Sequence, residues 1–318
     1  MIGRDLRPSS TRIAATVADA AAGLGLTVFD CGEVPAPALA LAAMTAAAPA
    51  VMVTGSHIPA DRNGLKFYTA TGEITKADEA AILAGFHETP PGATARPEDA
   101  STARAAYAAR YAGAYGTALS GLSVGVYQHS SVARDLLVEV LEALGATVTP
   151  LGRSDQFIPV DTEAVGAGTR KMLADWAEGG GYDAIVSTDG DADRPLVADA
   201  TGRVIPGDVI GTLSALALGA GTVVTPVSSN TMIEATGAFA ATLRTRIGSP
   251  FVIAAMEAQP DGAKTVGFEA NGGFLLGFAA LGPAGPLPPL MTRDAFLPII
   301  ATLAEVARQG KSLAKLVA

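Results

Sequence analysis

Residues 184–194 read Ala-Ile-Val-Ser-Thr-Asp-Gly-Asp-Ala-Asp-Arg. A short apolar, β-favouring run, Ala184–Thr188, passes directly into three aspartates at alternate positions closed by Arg194. A run of that length bounded by Asp and Gly predicts a buried strand that ends in a polar loop. The same junction occurs twice more. Ala50–Thr54 leads into Gly55-Ser56-His57-Ile58-Pro59-Ala60-Asp61-Arg62-Asn63-Gly64-Leu65-Lys66, and Lys264–Phe268 leads into Glu269-Ala270-Asn271-Gly272-Gly273. Ligands of open α/β sheets sit at the carboxyl ends of strands, so three such loops are expected to converge on one cleft.

Outward from these loops, strands alternate with helical patterns along the whole chain. Ser9 or Ser10 is placed to cap a helix running to Leu24, with Gly25 as its stop. A strand is expected at Thr27–Asp30, a helix from Ala38, and further strands at Ser123–Tyr127, Thr147–Leu151 and Thr222–Pro226. Helices are expected at Val132–Leu144 and from Thr102 to Thr117. Such alternation predicts parallel sheets built from βαβ units. Glu88–Thr102, rich in Pro, Thr, Gly and Ala, reads as a linker, and Leu218–Gly221 as a second boundary. The expected division is three consecutive α/β domains at 1–100, 101–218 and 219–318, carrying the serine, aspartate and glutamate loops in turn.

Composition agrees with this architecture and excludes others. Gly 36 and Pro 20 in 318 residues punctuate many short elements and argue against a long helical bundle. The net charge of −9 argues against a nucleic-acid-binding field, so no nucleic-acid partner is expected. Cys31 is the only cysteine, which leaves no internal disulfide and no cysteine-rich metal site, and a reducing cytoplasm is the expected compartment. The two long uncharged stretches, Ala36–Thr54 and the one beginning at Val209, are broken by Pro37 and Pro49 and by Gly219, Gly221 and Pro226, so no membrane span is expected.

The residue types in the loops point to specific chemistry. Asp189, Asp191 and Asp193 offer oxygen ligands to a hard divalent cation. A calcium EF-hand loop fails, because its sixth and twelfth positions would be Arg194 and Ala200. Three ligands leave room for a phosphate oxygen, which suits Mg²⁺; the alternative is a solvated turn. Ser56 is a weak nucleophile alone, and His57 and Lys66 bring proton handling and positive charge beside it. A Ser-His-Asp hydrolase lacks its G-x-S-x-G elbow here, and the remaining histidines, His87 and His129, each read as a surface or satisfied histidine. Glu269 and Asn271 pair an acceptor with a group that also donates, which suits vicinal hydroxyls as well as it suits a plain turn.

Together the three loops resemble those of the α-D-phosphohexomutases. Thr54–Lys66 is similar to that family's phosphoserine loop, T-A-S-H-N-P followed by N-G-x-K. Asp189–Arg194 resembles its metal loop, and Phe268–Gly273 its sugar loop, G-E-x-S-G-H. Gly3–Ser10, Gly-Arg-Asp-Leu-Arg-Pro-Ser-Ser, and Val34–Leu39, Val-Pro-Ala-Pro-Ala-Leu, resemble two segments of its first domain. The matches fall in family order along nearly the whole chain, and the subgroup they suit best is phosphomannomutase-like.

The resemblance implies an α/β fold of the phosphohexomutase type, with mixed, mostly parallel sheets around a central cleft, and an intramolecular phosphotransferase. Ser56 would carry the phosphoryl group and join Asp189, Asp191 and Asp193 around Mg²⁺. His57, Lys66 and Arg194 would serve the transfer, and Glu269 and Asn271 would hold the sugar. The phosphoserine would donate to a hexose phosphate, and the hexose bisphosphate so formed would turn round and return its other phosphate. Mannose 6-phosphate to mannose 1-phosphate is the expected direction; glucose and glucosamine phosphates are the alternatives. Gly55, Ile58, Ala36 and Gly273 depart from the family pattern, Gly273 standing where histidine is common. The T-S-G-x-R segment expected before Gly3 and the R-x-S-G-T-E-P phosphate loop expected after the third domain are not in these 318 residues. A hexose-phosphate-binding protein without turnover is therefore a second reading, and no oligomeric state is implied.

Overall fold

The computed structural model describes residues 1–260 and 262–318. Eighteen strands among them form three main sheets and one hairpin. The first sheet is built from β1 (Ile2–Arg4), β2 (Phe29–Glu33), β3 (Ala50–Val53), β4 (Leu65–Thr69), β5 (Gly72–Glu73) and β6 (Glu98–Asp99), in the order β5-β4-β3-β1-β2-β6. The second holds β7 (Ser123–His129), β8 (Thr147–Arg153), β9 (Ala184–Thr188), β10 (Pro195–Asp199) and β11 (Val204–Ile205), in the order β11-β10-β9-β7-β8. The third contains β12 (Thr222–Pro226), β13 (Ala241–Thr245), β14 (Thr265–Phe268), β15 (Phe274–Leu276) and β18 (Leu290–Asp294), in the order β13-β12-β14-β15-β18. The hairpin pairs β16 (Ala280–Leu281) with β17 (Pro286–Leu287).

In each of the three main sheets a parallel core carries an antiparallel extension on one edge. β3, β1, β2 and β6 run parallel, whereas β4 and β5 are antiparallel. β9, β7 and β8 run parallel, as do β13, β12 and β14. The extensions arise because each functional loop returns with no crossover helix, through short turns after β9 and β14 and through the longer loop Thr54–Gly64 after β3. Pro195 lies opposite Thr188, and Phe274 opposite Phe268. The three expected strand-to-loop junctions at Val53, Thr188 and Phe268 are all formed.

Helices α1 (Ser10–Gly23), α2 (Ala36–Thr45), α3 (Lys76–Ala84), α4 (Thr102–Tyr115), α5 (Arg134–Ala143), α6 (Ala167–Gly180), α7 (Gly207–Ala217), α8 (Met232–Ala235), α9 (Ser249–Glu257), α10 (Phe296–Gln309) and α11 (Leu313–Leu316) complete the units. One apolar core runs without a break from Leu39 and Met52 through Tyr107 and Leu137 to Phe268 and Phe296. Each such fully buried side chain contributes about 2 kcal/mol.

Three expectations shift. Neither Ser9 nor Ser10 caps α1 through its side chain; Ser10 Oγ instead donates to Asp5 Oδ1 at 2.5 Å. The expected strand Thr27–Asp30 lies two to three residues later, as β2. The expected linker contains β6, which pairs with β2 at the sheet edge, a two-residue strand too short to show any alternation. Cys31 is buried and free. Among the described residues no helix is long and apolar enough to cross a membrane.

Candidate functional site

Ser56 follows β3 with φ = +50°, a left-handed conformation that a residue with a Cβ adopts only at a cost. Two features hold it there. Its amide donates to Thr54 Oγ1 at 2.8 Å. The buried Arg7 donates to four carbonyls of the loop: Ser56 and Ile58 at 2.8 Å, Pro59 at 2.9 Å and Arg62 at 3.3 Å. Asp5 balances that guanidinium, accepting from Arg7 Nε at 3.1 Å and from Thr54 Oγ1 at 2.8 Å.

The aspartate loop is fixed through its backbone. Gly190 O accepts from Val132 N at 3.0 Å, Asp191 O from Ala36 N at 2.9 Å, and Ala192 O from Ala295 N at 3.4 Å. Amides from all three units thus anchor one loop and leave its carboxylates free to converge. Gly190 is required by proximity, since a Cβ there would lie 2.6 Å from Ser56 O.

The serine and aspartate loops meet directly. Ser56 Oγ donates to Asp189 Oδ2. Lys66 Nζ lies 2.6 Å from Asp191 Oδ2 and 2.6 Å from Asp193 Oδ2. Arg194 Nη1 donates to His57 Nδ1 at 3.0 Å, and that imidazole nitrogen also lies 3.4 Å from Ser56 Oγ. A guanidinium can only donate, so Nδ1 accepts and the imidazole proton resides on Nε2. Burial, and then Arg194, lower the His57 pKa and keep the ring neutral.

Charge is the organising feature of the cleft. Burial, then Asp191 and Asp193, push Asp189 well above the usual carboxylate range. Burial opposes ionisation of Asp193 as well, but Arg293, Lys66 and Arg194 outweigh it and hold that carboxyl low. The carboxylate oxygens of Asp189, Asp191 and Asp193 lie within 4.8 Å of one another. Asp191 Oδ1 and Asp193 Oδ1 are buried with no hydrogen-bond partner among the described residues. Lys66, Arg194 and Arg293 face Asp189, Asp191, Asp193, Glu73 and Glu269, an excess of two negative charges when all are ionised. Orphaned oxygens, an all-carboxylate donor set and that charge excess fit one hard divalent cation.

Glu269 reaches this cluster through Arg293, whose Nη1 lies 3.7 Å from its Oε2. Asn271 is turned back into its own loop, its Oδ1 accepting from Gly273 N at 3.0 Å. His129 lies apart, buried at the end of β7 with Nε2 2.8 Å from Thr188 O. Arg293 and Glu73 escape the sequence reading. Arg293 has the same signature as the other loops, an apolar run Leu290–Met291 passing into Thr-Arg-Asp, while Glu73 sits in a two-residue strand with no pattern at all.

Comparison with known proteins identifies the three units as family domains. Residues 1–91, 105–202 and 206–318 match, in order, the family models described as phosphoglucomutase/phosphomannomutase alpha/beta/alpha domains I, II and III. The chain belongs to this family. It is 50% identical over 313 residues to a phosphomannomutase of Sinorhizobium fredii and 45% identical over 318 residues to one of Salmonella muenchen. Those alignments cover 95% and 98% of this chain and 66% of each relative, so the chain spans just under two thirds of their length. A crystal structure assigned as a phosphomannomutase from Thermus thermophilus superposes with a TM-score of 0.83 at 26% identity, covering 99% of this chain and 73% of that one. Three α/β/α family domains on mixed sheets agree with the fold expected from the strand-to-loop junctions.

Proposed function

We propose that this chain is a phosphohexomutase that moves a phosphoryl group between O6 and O1 of a hexose phosphate, with mannose 6-phosphate as the favoured substrate. The observation that carries the reading is the hydrogen bond from Ser56 to Asp189, which puts a strained, backbone-clamped hydroxyl against a carboxylate triad from another unit. Similarity to two phosphomannomutases supports the choice of sugar.

In this reading Ser56 carries the phosphoryl group. The phosphorus–oxygen bond to Ser56 Oγ breaks as a bond forms to a sugar hydroxyl oxygen, and the proton lost by that hydroxyl is matched by the one that restores the Ser56 hydroxyl. The sugar bisphosphate then turns over and the reverse exchange returns its other phosphate to the serine. Such transfer depends on positioning and on neutralising equatorial charge more than on covalent chemistry. Lys66 and Arg194 supply fixed positive charge beside the serine, and neutral His57 orients Arg194 through its Nδ1. Asp189, Asp191, Asp193 and Ser56 would hold Mg²⁺, which when bound supplies charge neutralisation and polarisation of a phosphoryl oxygen. Glu269 and Asn271 would face the sugar hydroxyls, Asn271 through its amide nitrogen.

Priming with a hexose 1,6-bisphosphate and following mannose 6-phosphate by phosphorus NMR tests the reading, together with intact mass. The parent is expected to form mannose 1-phosphate and to carry one phosphoryl group mapping to Ser56, and Ser56→Ala to lose both. Turnover by Ser56→Ala at the parent rate overturns the mechanism. Free phosphate without isomerised sugar would indicate hydrolysis, and binding without turnover a non-catalytic protein. Ratios of kcat/KM for mannose, glucose and glucosamine phosphates decide the sugar.

A further inference from the structure

Arg293, at the end of β18, meets one carboxylate from each sheet. Its Nη2 lies 3.0 Å from Asp193 Oδ2, and its Nη1 3.7 Å from Glu269 Oε2. Its Nε donates to Glu73 Oε1 at 3.3 Å, and its backbone amide donates to the same oxygen at 3.2 Å. Glu73 belongs to the first sheet, Asp193 to the loop after β9 and Glu269 to the loop after β14. A planar guanidinium can serve three acceptors in a fixed fork, whereas an ammonium cannot. The side chain is only 12% exposed, so solvent ions screen these pairs little.

The arrangement is braced on every side. Glu73 also accepts from Ser249 Oγ at 2.8 Å and Thr292 Oγ1 at 3.0 Å. Asp294, the next residue, accepts from the hydroxyls of Tyr107 and Tyr111 and from Phe296 N at 2.8 Å, which pins the strand end from the other direction. Space for the guanidinium stem comes from Gly273. A Cβ at that position would lie 3.2 Å from Arg293 Cγ and Cδ and 3.0 Å from Asp193 O, so a side chain at 273 and the Arg293 side chain compete for one volume.

We propose that Arg293 is a positioning residue that sets the orientation of Glu269 from the aspartate loop and from Glu73. The part of the cleft offered to the sugar hydroxyls is then fixed by contacts between units, not by the glutamate loop alone. The side chain absent at Gly273 makes this possible. The identity of the sugar phosphate used in the test rests on the function proposed above; the contact network does not.

Arg293→Lys keeps the charge and loses the fork. It is expected to raise the KM for mannose 6-phosphate about tenfold, the scale of one misaligned hydrogen bond, with a much smaller change in kcat. On a Glu269→Gln background the same substitution is expected to change KM by less than about twofold, because the residue acts through Glu269. Effects that multiply across the double mutant overturn the proposal. Hydrogen exchange reads the same point without turnover. The amides of Gly272 and Gly273, bonded to Glu269 O and Asn271 Oδ1 at 2.9 and 3.0 Å, should exchange faster in Arg293→Lys. Unchanged exchange there also overturns it. Should Arg293→Lys fail to fold, Glu73→Gln loosens the guanidinium from one side and is expected to shift KM and exchange in the same direction. A parent that does not turn over mannose 6-phosphate defeats the functional reading alone, and the exchange measurement still decides the role of Arg293.

Discussion

Arg7 donates a 2.8 Å hydrogen bond to the carbonyl oxygen of Ser56. The residue proposed to carry the phosphoryl group is therefore gripped through its backbone by a buried cation 49 positions earlier in the chain. Phe157 of the second unit packs its ring over the same guanidinium, 4.0 Å from ring centroid to Cζ. The grip and the lid come from different units.

Arg7→Met should consequently destabilise the fold as well as the site. Four carbonyls lose their donor and Asp5 is left buried without its cation. Removing one partner of a buried pair typically costs about 3–5 kcal/mol, and urea unfolding of the variant is expected to fall in that range. A loss below about 1 kcal/mol would mean that the loop holds its shape without the clamp.

Metal binding offers a second measurement. Mg²⁺ at a hundred times its dissociation constant should stabilise the folded state by about 2.7 kcal/mol, raising the melting temperature by several degrees. Asp191→Asn removes one charge and one of the orphaned acceptors and should abolish most of that shift. Equal shifts in parent and variant would place the cation elsewhere.

His129 predicts a loss of stability in acid. Burial holds its pKa at about 4, while Thr188 O pulls weakly the other way. Above pH 6.5 the ring is neutral in folded and unfolded chains alike and contributes nothing. Below that pH the unfolded chain takes up a proton that the folded one refuses, so stability declines until about pH 4, by about 3 kcal/mol in all. His129→Asn tolerates the local φ of +30° and should flatten this part of the pH profile; an unchanged profile assigns the decline to other groups.

How much of this was legible in the sequence depended on whether a residue works through its neighbours in the chain. The strands before Ser56, Asp189 and Glu269 each carry an apolar run and a polar stop, so both elements and loops could be read. Their convergence followed from a rule about strand ends. Arg293 and Glu73 could not be read as partners, because their pairing is set by how the first and third sheets pack, 220 positions apart. The antiparallel edges were hidden for a related reason. β10 and β15 are ordinary apolar runs whose direction is decided by the length of the preceding turn. The serine cap expected for α1 failed because Ser9, at the cap position, accepts from Asn63 Nδ2, while Ser10 lies inside the helix and donates its hydroxyl to Asp5.

The positive φ at Ser56 has a consequence for what mutation can do at this position. Alanine and glycine both delete the hydroxyl, yet only alanine keeps the Cβ that clashes in a left-handed backbone. Ser56→Gly should therefore melt higher than Ser56→Ala, by about 1 kcal/mol, with neither able to carry a phosphoryl group. Glycine is the residue the backbone prefers, and serine the residue the proposed transfer needs.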